Sequence, residues 1–527
     1  RLARELTERQ QHAALLQQRI DRAFAGADRA QALAEVAWAQ AAEDAARLVR
    51  DLTARQQQAA LQHAARQQRL SELQRELEAL GVLEGPVSPE SLLDGLSRSL
   101  IDDESDQEAR VQRSRELARL MEVVAPQEAQ VVELCERLAG RNRSLKDMTS
   151  FLGAGAYQHL IPTAVDALAS RGEWLTPYTP YQAEASQGTL QAIYEFQTMV
   201  CELLQMEVAN ASLYDGASSV AEAVLLAMRA TQRPRVLVSE ALHPHASQTL
   251  ATYLIGADAI VQEIPAVHGV TDLEALGKAL GDDAACVVLQ QPNVFGCLEP
   301  MSQAGALIHR VGGLFIASVY PISLGLLKPP GAYGADIAVA EGRCLGSPVA
   351  YGGPGLGLFA ATSELLRRIP GRLAGCTVDQ RGRRGFTLTL QTREQHIRRE
   401  RATSNICTNE GWLALRATIF LSLLGPVGMQ ELARLNVEKA HYARERLVEL
   451  PWVRAAFDQP FFNEFTLEYD AGISVDAVNR ALAKADIVGG FPLADWFPSM
   501  PQTSLWCATE LVSREAVDRL VEVLRKT

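Results

Sequence analysis

Between about residues 235 and 361 the chain alternates short apolar runs with longer amphipathic stretches. RVLVSE, AIVQEI, ACVVLQQ, LFIASV, DIAVAE and LGLFA read as strands, apolar and rich in β-branched residues. Helical patterns separate them, and strand–helix alternation of this kind predicts an α/β fold, a mostly parallel sheet with helices on both faces. From about 410 onward helical patterns surround FFNEFTLEY and TSLWCATEL, which predicts a smaller C-terminal α+β domain. At the other end, roughly 1–80 is rich in Ala, Gln, Arg and Glu, with Leu recurring at three- and four-residue spacings, as in LSELQRELEAL. That period predicts a long helix or coiled coil. GVLEGPVSPES breaks it with Gly and Pro, and the acidic IDDESDQEAR at 101–110 reads as a linker. The expected organisation is a helical extension over 1–80, a linker and helical arm over 81–140, a large domain over 141–409 and a small domain over 410–527.

Composition narrows the class. With 527 residues there is material for two or three domains. A net charge of −12 argues against a general nucleic-acid surface. No apolar run reads as long enough to span a bilayer, and the opening RLARELTERQ shows no secretory leader. Eight cysteines are scattered without C-x-x-C spacing. This predicts reduced, buried thiols rather than disulfides or a zinc site, and a cytoplasmic setting. There are only six lysines, at 146, 278, 328, 439, 484 and 526, so every candidate reactive amine can be inspected.

Several stretches carry candidate chemistry. The turn Asp215-Gly216-Ala217-Ser218-Ser219 leads into a helix, whose first N–H groups suit an anion or a side-chain cap from Asp215 or Ser218; capping is favoured. In YTPYQAEASQG (178–188), Tyr178 and Tyr181 stand three residues apart with a proline between, and a phenol can donate to a carboxylate or phosphate. His243 and His245 suggest a metal only if a third ligand stands nearby, and none does in the sequence. QTREQHIRRERATSNICTNEGW (391–412) reads as an arginine-dense helix followed by the turn Ser404–Asn409. Cys407 in that turn has no histidine signature around it and reads as a small buried residue. The glycine-rich turn Gly352-Gly353-Pro354-Gly355 permits close backbone approach.

The stretch KPPGAYGADIAVAEGRCLGSPVAYGGPGLG closely resembles subunit 1 (the alpha half) of the two-subunit glycine decarboxylase, the P-protein of the glycine cleavage system. The resemblance begins near VVELCERLAGRNRSLKDMTSFLGAGAYQHLIPTAVDAL and runs to the C-terminus, about three-quarters of the chain. It implies the fold-type-I architecture of pyridoxal-phosphate (PLP) enzymes. In the sister subunit the lysine that joins PLP stands just before the glycine-rich turn. Its place here is held by Arg343, whose guanidinium cannot close the imine. The aspartate that holds the cofactor's ring nitrogen in such enzymes is replaced by Tyr320, in Val319-Tyr320-Pro321. His243 falls near the family's ring-stacking histidine and Ser218 in its phosphate turn, so Arg343, Tyr320, His243 and Ser218 mark vestigial cofactor positions. Lys328, in LLKPPG, lies too far upstream to substitute.

The resemblance therefore implies a subunit with no catalytic residue of its own. It would act on glycine and the lipoylated H-protein together with a PLP-bearing subunit 2, in an α2β2 assembly, without binding PLP covalently itself. Tyr178 and Tyr181 would reach the shared active site or only pack the interface. Two alternatives are a non-catalytic scaffold and a self-sufficient PLP-dependent aminotransferase or decarboxylase; the latter needs the missing lysine and aspartate.

Overall fold

The computed structural model describes residues 128–175, 179–402 and 404–526. The helical extension expected over 1–80 and the linker at 101–110 lie outside the described residues. Residues 128–139 form a helix, and Arg143–Thr527 forms one compact unit.

In that unit the apolar runs become a sheet that is seven-stranded among the described residues. Its strands are β1 (Val208–Ala209), β2 (Arg235–Ser239), β3 (Ile260–Ile264), β4 (Ala284–Gln291), β5 (Leu314–Val319), β6 (Ile337–Glu341) and β7 (Gly357–Ala361). The spatial order is β1-β7-β6-β5-β4-β2-β3. Neighbours from β3 to β6 pair in parallel, while β7 runs antiparallel to both β6 and β1.

Successive strand residues face opposite sides of a sheet, and here both sides are covered. Phe315, Ala317 and Val319 enter a core shared with α1 (Gln187–Leu204), α3 (Met301–Arg310) and the first half of α4 (Gly411–Leu447). Ile316 enters a second core beneath α2 (Gly216–Thr231). This two-sided burial is the reason the inner strands read as continuous apolar runs, whereas the edge strand β3 is largely exposed and carries Gln262 and Glu263.

The C-terminal strands β8 (Val453–Ala455), β9 (Glu464–Tyr469), β10 (Phe491–Pro492) and β11 (Thr503–Cys507) form an antiparallel sheet in the order β8-β9-β11-β10. Trp506 anchors its core, with its indole N–H donating to Ser504 Oγ at 2.7 Å. Two stretches join the first core to the C-terminal one. Helix α4 buries Leu413, Ala417 and Phe420 in the first core and Ala440, Ala443 and Leu447 in the C-terminal one, bending between them at Gly425-Pro426. Phe151, far upstream in sequence, belongs to the C-terminal core. The apolar part of α4 is long enough for a membrane span by length and composition; its burial in the first core accounts for that composition.

The loop after β4 meets β9 at Gly296. Its φ is +85°, and a Cβ there would stand 2.2 Å from the Glu464 carbonyl oxygen. Gly296→Ala is expected to cost about 2 kcal/mol or more of stability. Urea unfolding of the variant checks this, and an unchanged midpoint would contradict the packing.

Candidate functional site

Parallel strands present their carboxyl ends to one side of a sheet, where α/β proteins place their ligands. In this chain that side holds a cavity of about 410 Å³. Gln290, Ser318, Tyr320 and Glu341 line it at the ends of β4, β5 and β6. Asp215, Gly216 and Ala217 face it from the start of α2, and Ala154–Tyr157 from a loop far upstream of α1. Arg343, His243 and His245 complete the wall, so three of the four positions expected to be vestigial, Arg343, Tyr320 and His243, line one cavity.

Glu341 organises the floor. Its Oε2 accepts from the Gly216 N–H at 3.0 Å, and its Oε1 accepts from the N–H groups of Arg343 and Leu356, each at 2.9 Å. Burial raises its carboxyl above the ordinary range, opposed by those backbone donors. Asp215 Oδ1 accepts from the Ser218 N–H at 2.7 Å, and Ser218 Oγ accepts from the Asp215 N–H, a reciprocal capping box. Ser218 thus belongs to the cap rather than to the cavity wall.

Arg343 crosses the cavity. One Nη donates to the Gly352 carbonyl of the glycine-rich turn and the other to the Gly155 carbonyl at 3.3 Å. The guanidinium is therefore committed to two loops. His243 Nδ1 accepts from the His245 N–H, which leaves the Nε2 proton to donate to the Ala154 carbonyl at 3.1 Å. Burial lowers its pKa, in keeping with this neutral form. The Trp496 ring packs edge-on against it, with centroids 4.7 Å apart.

Tyr320 turns its phenol toward His159 Nε2, while His159 Nδ1 donates to Glu510 Oε2 at 2.8 Å. Burial opposes ionisation of Glu510, but the His159 contact and the Leu160 N–H hold its carboxyl below the ordinary range. Beside it, Glu464 accepts from the Ala154 N–H at 2.7 Å and from the Tyr157 hydroxyl at 2.6 Å. Burial pushes Glu464 up to about 7. The loop over the cavity is thus tied to the C-terminal domain through two buried carboxyl groups that sequence reading missed.

The residues present do not fit PLP. Among the described residues no lysine lines the cavity, and Lys328 is exposed. The helix start that would receive a phosphate already donates to Glu341 and Asp215, and Tyr320 stands where a ring-nitrogen partner would be needed.

A second cluster forms around Tyr181; Tyr178 lies outside the described residues. Tyr181 is 54% exposed, yet its hydroxyl accepts from Nη2 of Arg372, itself only 4% exposed, at 3.2 Å. The guanidinium carbon lies 5.4 Å from the ring centroid. Arg372 Nη1 donates to Thr408 Oγ1 at 2.8 Å and reaches Thr179 Oγ1 at 3.4 Å and Asn409 Oδ1 at 3.5 Å. Its Nε stands 3.8 Å from Glu394 Oε2. Arg372 was not singled out from the sequence. The available signal is a lone charge in PGRLAG, just before a strand whose first residues are buried.

Two expectations need correction. The arginine-dense segment is no continuous helix, but turns at Gln391–Arg393 and Arg399–Arg401 around a four-residue helix, Gln395–Arg398. Positive φ at Leu390 and Arg399 interrupts it. Cys407 is exposed, as are Cys135 and Cys376. The Ser404–Asn409 turn runs over the surface, and the Cys407 amide, not its thiol, is engaged, donating to the Tyr214 hydroxyl at 3.0 Å.

The sheet order, the flanking helices and the cavity at the strand ends define a fold-type-I PLP-family protein. A solved alanine–glyoxylate aminotransferase from Nostoc sp. shares this fold at 20% identity, with a TM-score of 0.52 over 73% of this chain and 96% of that one. A crystal structure of glycine decarboxylase (P-protein) in inhibitor-bound form is more similar: TM-score 0.72 and 42% identity, over 86% of this chain and 98% of that one. The "Probable glycine dehydrogenase (decarboxylating) subunit 1" of Desulfitobacterium hafniense is 50% identical over 394 residues, 75% of this chain and 88% of the relative. Residues 91–524 match the glycine cleavage system P-protein family. The chain belongs to that family.

Two outcomes follow from the cavity. Arg343→Lys restores an amine but leaves Glu341 and Asp215 on the helix start, so the variant alone is expected to retain no PLP absorbance after dialysis and to give no borohydride-stable adduct. A stable adduct would contradict the fit. The folded chain keeps the Glu464 proton where the unfolded chain has lost it. That contribution is full below about pH 4 and is gone once pH rises past about 7. Relative to Glu464→Gln, the native chain is expected to lose on the order of 2–3 kcal/mol between pH 4 and 8, read from urea unfolding. A pH-independent difference would show that Glu464 does not titrate there.

Proposed function

We propose that this chain is the subunit of a two-subunit glycine decarboxylase that does not carry the cofactor amine. The reaction converts glycine and the lipoylated H-protein to aminomethyl-dihydrolipoyl-H-protein and CO2. The lipoyl disulfide is reduced as one sulfur takes the aminomethyl group, which makes the step formally an oxidoreduction. PLP on the partner subunit supplies the electron sink for loss of CO2.

The observation that carries this reading is the cavity at the strand ends. It keeps the family's fold, but its own Glu341, Asp215 and Arg343 occupy the places where a cofactor would be held. What this chain has to offer is therefore elsewhere. Tyr181 presents an exposed phenol on a buried arginine, and it forms the edge we assign to the partner's active site. The assembly is α2β2. The eight unpaired thiols support a reducing compartment, the cytoplasm.

The reading is tested by purifying the chain alone and with its PLP-bearing partner, then measuring the PLP absorbance band and glycine–bicarbonate exchange. Neither is expected from the isolated chain, and both from the complex. Tyr181→Phe in the complex is expected to lower kcat/KM for exchange about tenfold, the loss of one hydrogen bond to a charged group. Exchange by the isolated chain would overturn the assignment.

A further inference from the structure

We propose that Arg372 is a positioning residue that fixes the Tyr181 hydroxyl as a hydrogen-bond donor to an anionic oxygen brought by the partner subunit. This rests on the functional reading above and adds the polarity of the contact and the group that sets it. A guanidinium has five N–H donors and no acceptor. The Arg372 Nη2 contact at 3.2 Å can therefore run only from Arg372 to the phenol oxygen. With that lone pair used, the phenol's own proton is left for a partner outside the cluster. No acceptor within the cluster claims it among the described contacts: the neighbouring His396 ring meets Tyr181 edge-on, with centroids 6.0 Å apart.

The guanidinium is itself held. Nη1 donates to Thr408 and reaches Thr179 and Asn409, so it clamps the 179–181 loop and the 404–409 turn to the edge of the strand Leu373–Val378. These are two of the motifs that stood out in the sequence, and the clamp joins them across more than two hundred residues of chain. The Glu394 carboxylate, 3.8 Å from Nε, offsets the buried charge without reaching the phenol side. Tyr181 lies on the outer face, half exposed, while the arginine behind it is buried. A phenol backed by a cation and offering its proton outward selects a carboxylate or a phosphate monoester oxygen over a neutral or cationic group. Substrate glycine carries the first and PLP the second.

The test is a double-mutant cycle in the reconstituted complex, using Arg372→Lys, Tyr181→Phe and both together. Readouts are kcat and KM for glycine in the exchange assay, and the rate at which PLP is lost on dialysis. Lysine keeps the charge but loses the fork that spans Tyr181 and Thr408. Each single variant is expected to lose about tenfold in one readout, and the double to be no worse than Tyr181→Phe within about threefold, because Arg372 acts through the phenol. A raised KM with unchanged PLP retention identifies the glycine carboxylate. Faster PLP loss with unchanged KM at saturating PLP identifies the phosphate. Should Arg372→Lys fail to assemble, Thr408→Val removes an anchor of the same guanidinium at a half-buried position. It is expected to lose about threefold in the same readout, and nothing further in the Tyr181→Phe background.

If Tyr181→Phe is silent in every readout, the reading of Tyr181 as an active-site edge and this inference fall together. If Tyr181→Phe is harmful while the Arg372 and Thr408 variants are silent or add their losses to it, the inference alone is overturned.

Discussion

Much of this chain's architecture depends on one buried carboxylate. Glu341 ends a central strand, and its two oxygens collect the N–H groups of Gly216, Arg343 and Leu356. Those donors belong to a helix start, to the segment leaving the sheet and to the strand that returns from the glycine-rich turn. A carboxylate that accepts several backbone donors is well satisfied despite burial, so one side chain closes three pieces of chain around a point where fold-type-I enzymes hold a ligand. Steric detail agrees. A Cβ on Gly216 would stand 2.9 Å from Glu341, and one on Gly355 would stand 2.6 Å from Asp215. The cavity is built around its own acids.

The cation that balances them is used the same way. Arg343 carries its charge from the sheet to the carbonyls of Gly155 and Gly352, and His243 and Glu464 grip the neighbouring Ala154 from either side. The loop over the cavity is therefore fastened by three side chains from both domains, with the His159 contacts to Tyr320 and Glu510 completing the seam. A cofactor-binding protein needs such a loop to respond to its ligand. In this chain the loop is closed by hydrogen bonds from its own side chains.

The sequence reading found the strands because burial on both faces leaves a one-dimensional trace: apolar runs without alternation. It also located Arg343, Tyr320 and His243 in the cavity, since the resemblance fixes positions along the chain and those three follow strand ends or helix starts. It did not reach Glu341, Glu464, Glu510 or Arg372. Each is a charged residue in or beside an apolar strand, and its role comes from hydrogen-bond partners up to several hundred residues away. Between 391 and 401 the dense charge suggested a continuous helix. The chain instead takes a positive φ at Leu390, just before this segment, and at Arg399 within it.

What the sequence by itself determined was the class of fold and the identity of residue 343 as an arginine, whose guanidinium cannot close an imine. Periodic burial and the identity of a single side chain are local properties, readable without coordinates. Only the tertiary structure decided that Glu341 accepts from Gly216 and Leu356 and that the Tyr181 oxygen accepts from Arg372. Both depend on hydrogen-bond direction between groups far apart in the chain, and direction exists only once the backbone has brought donor and acceptor together.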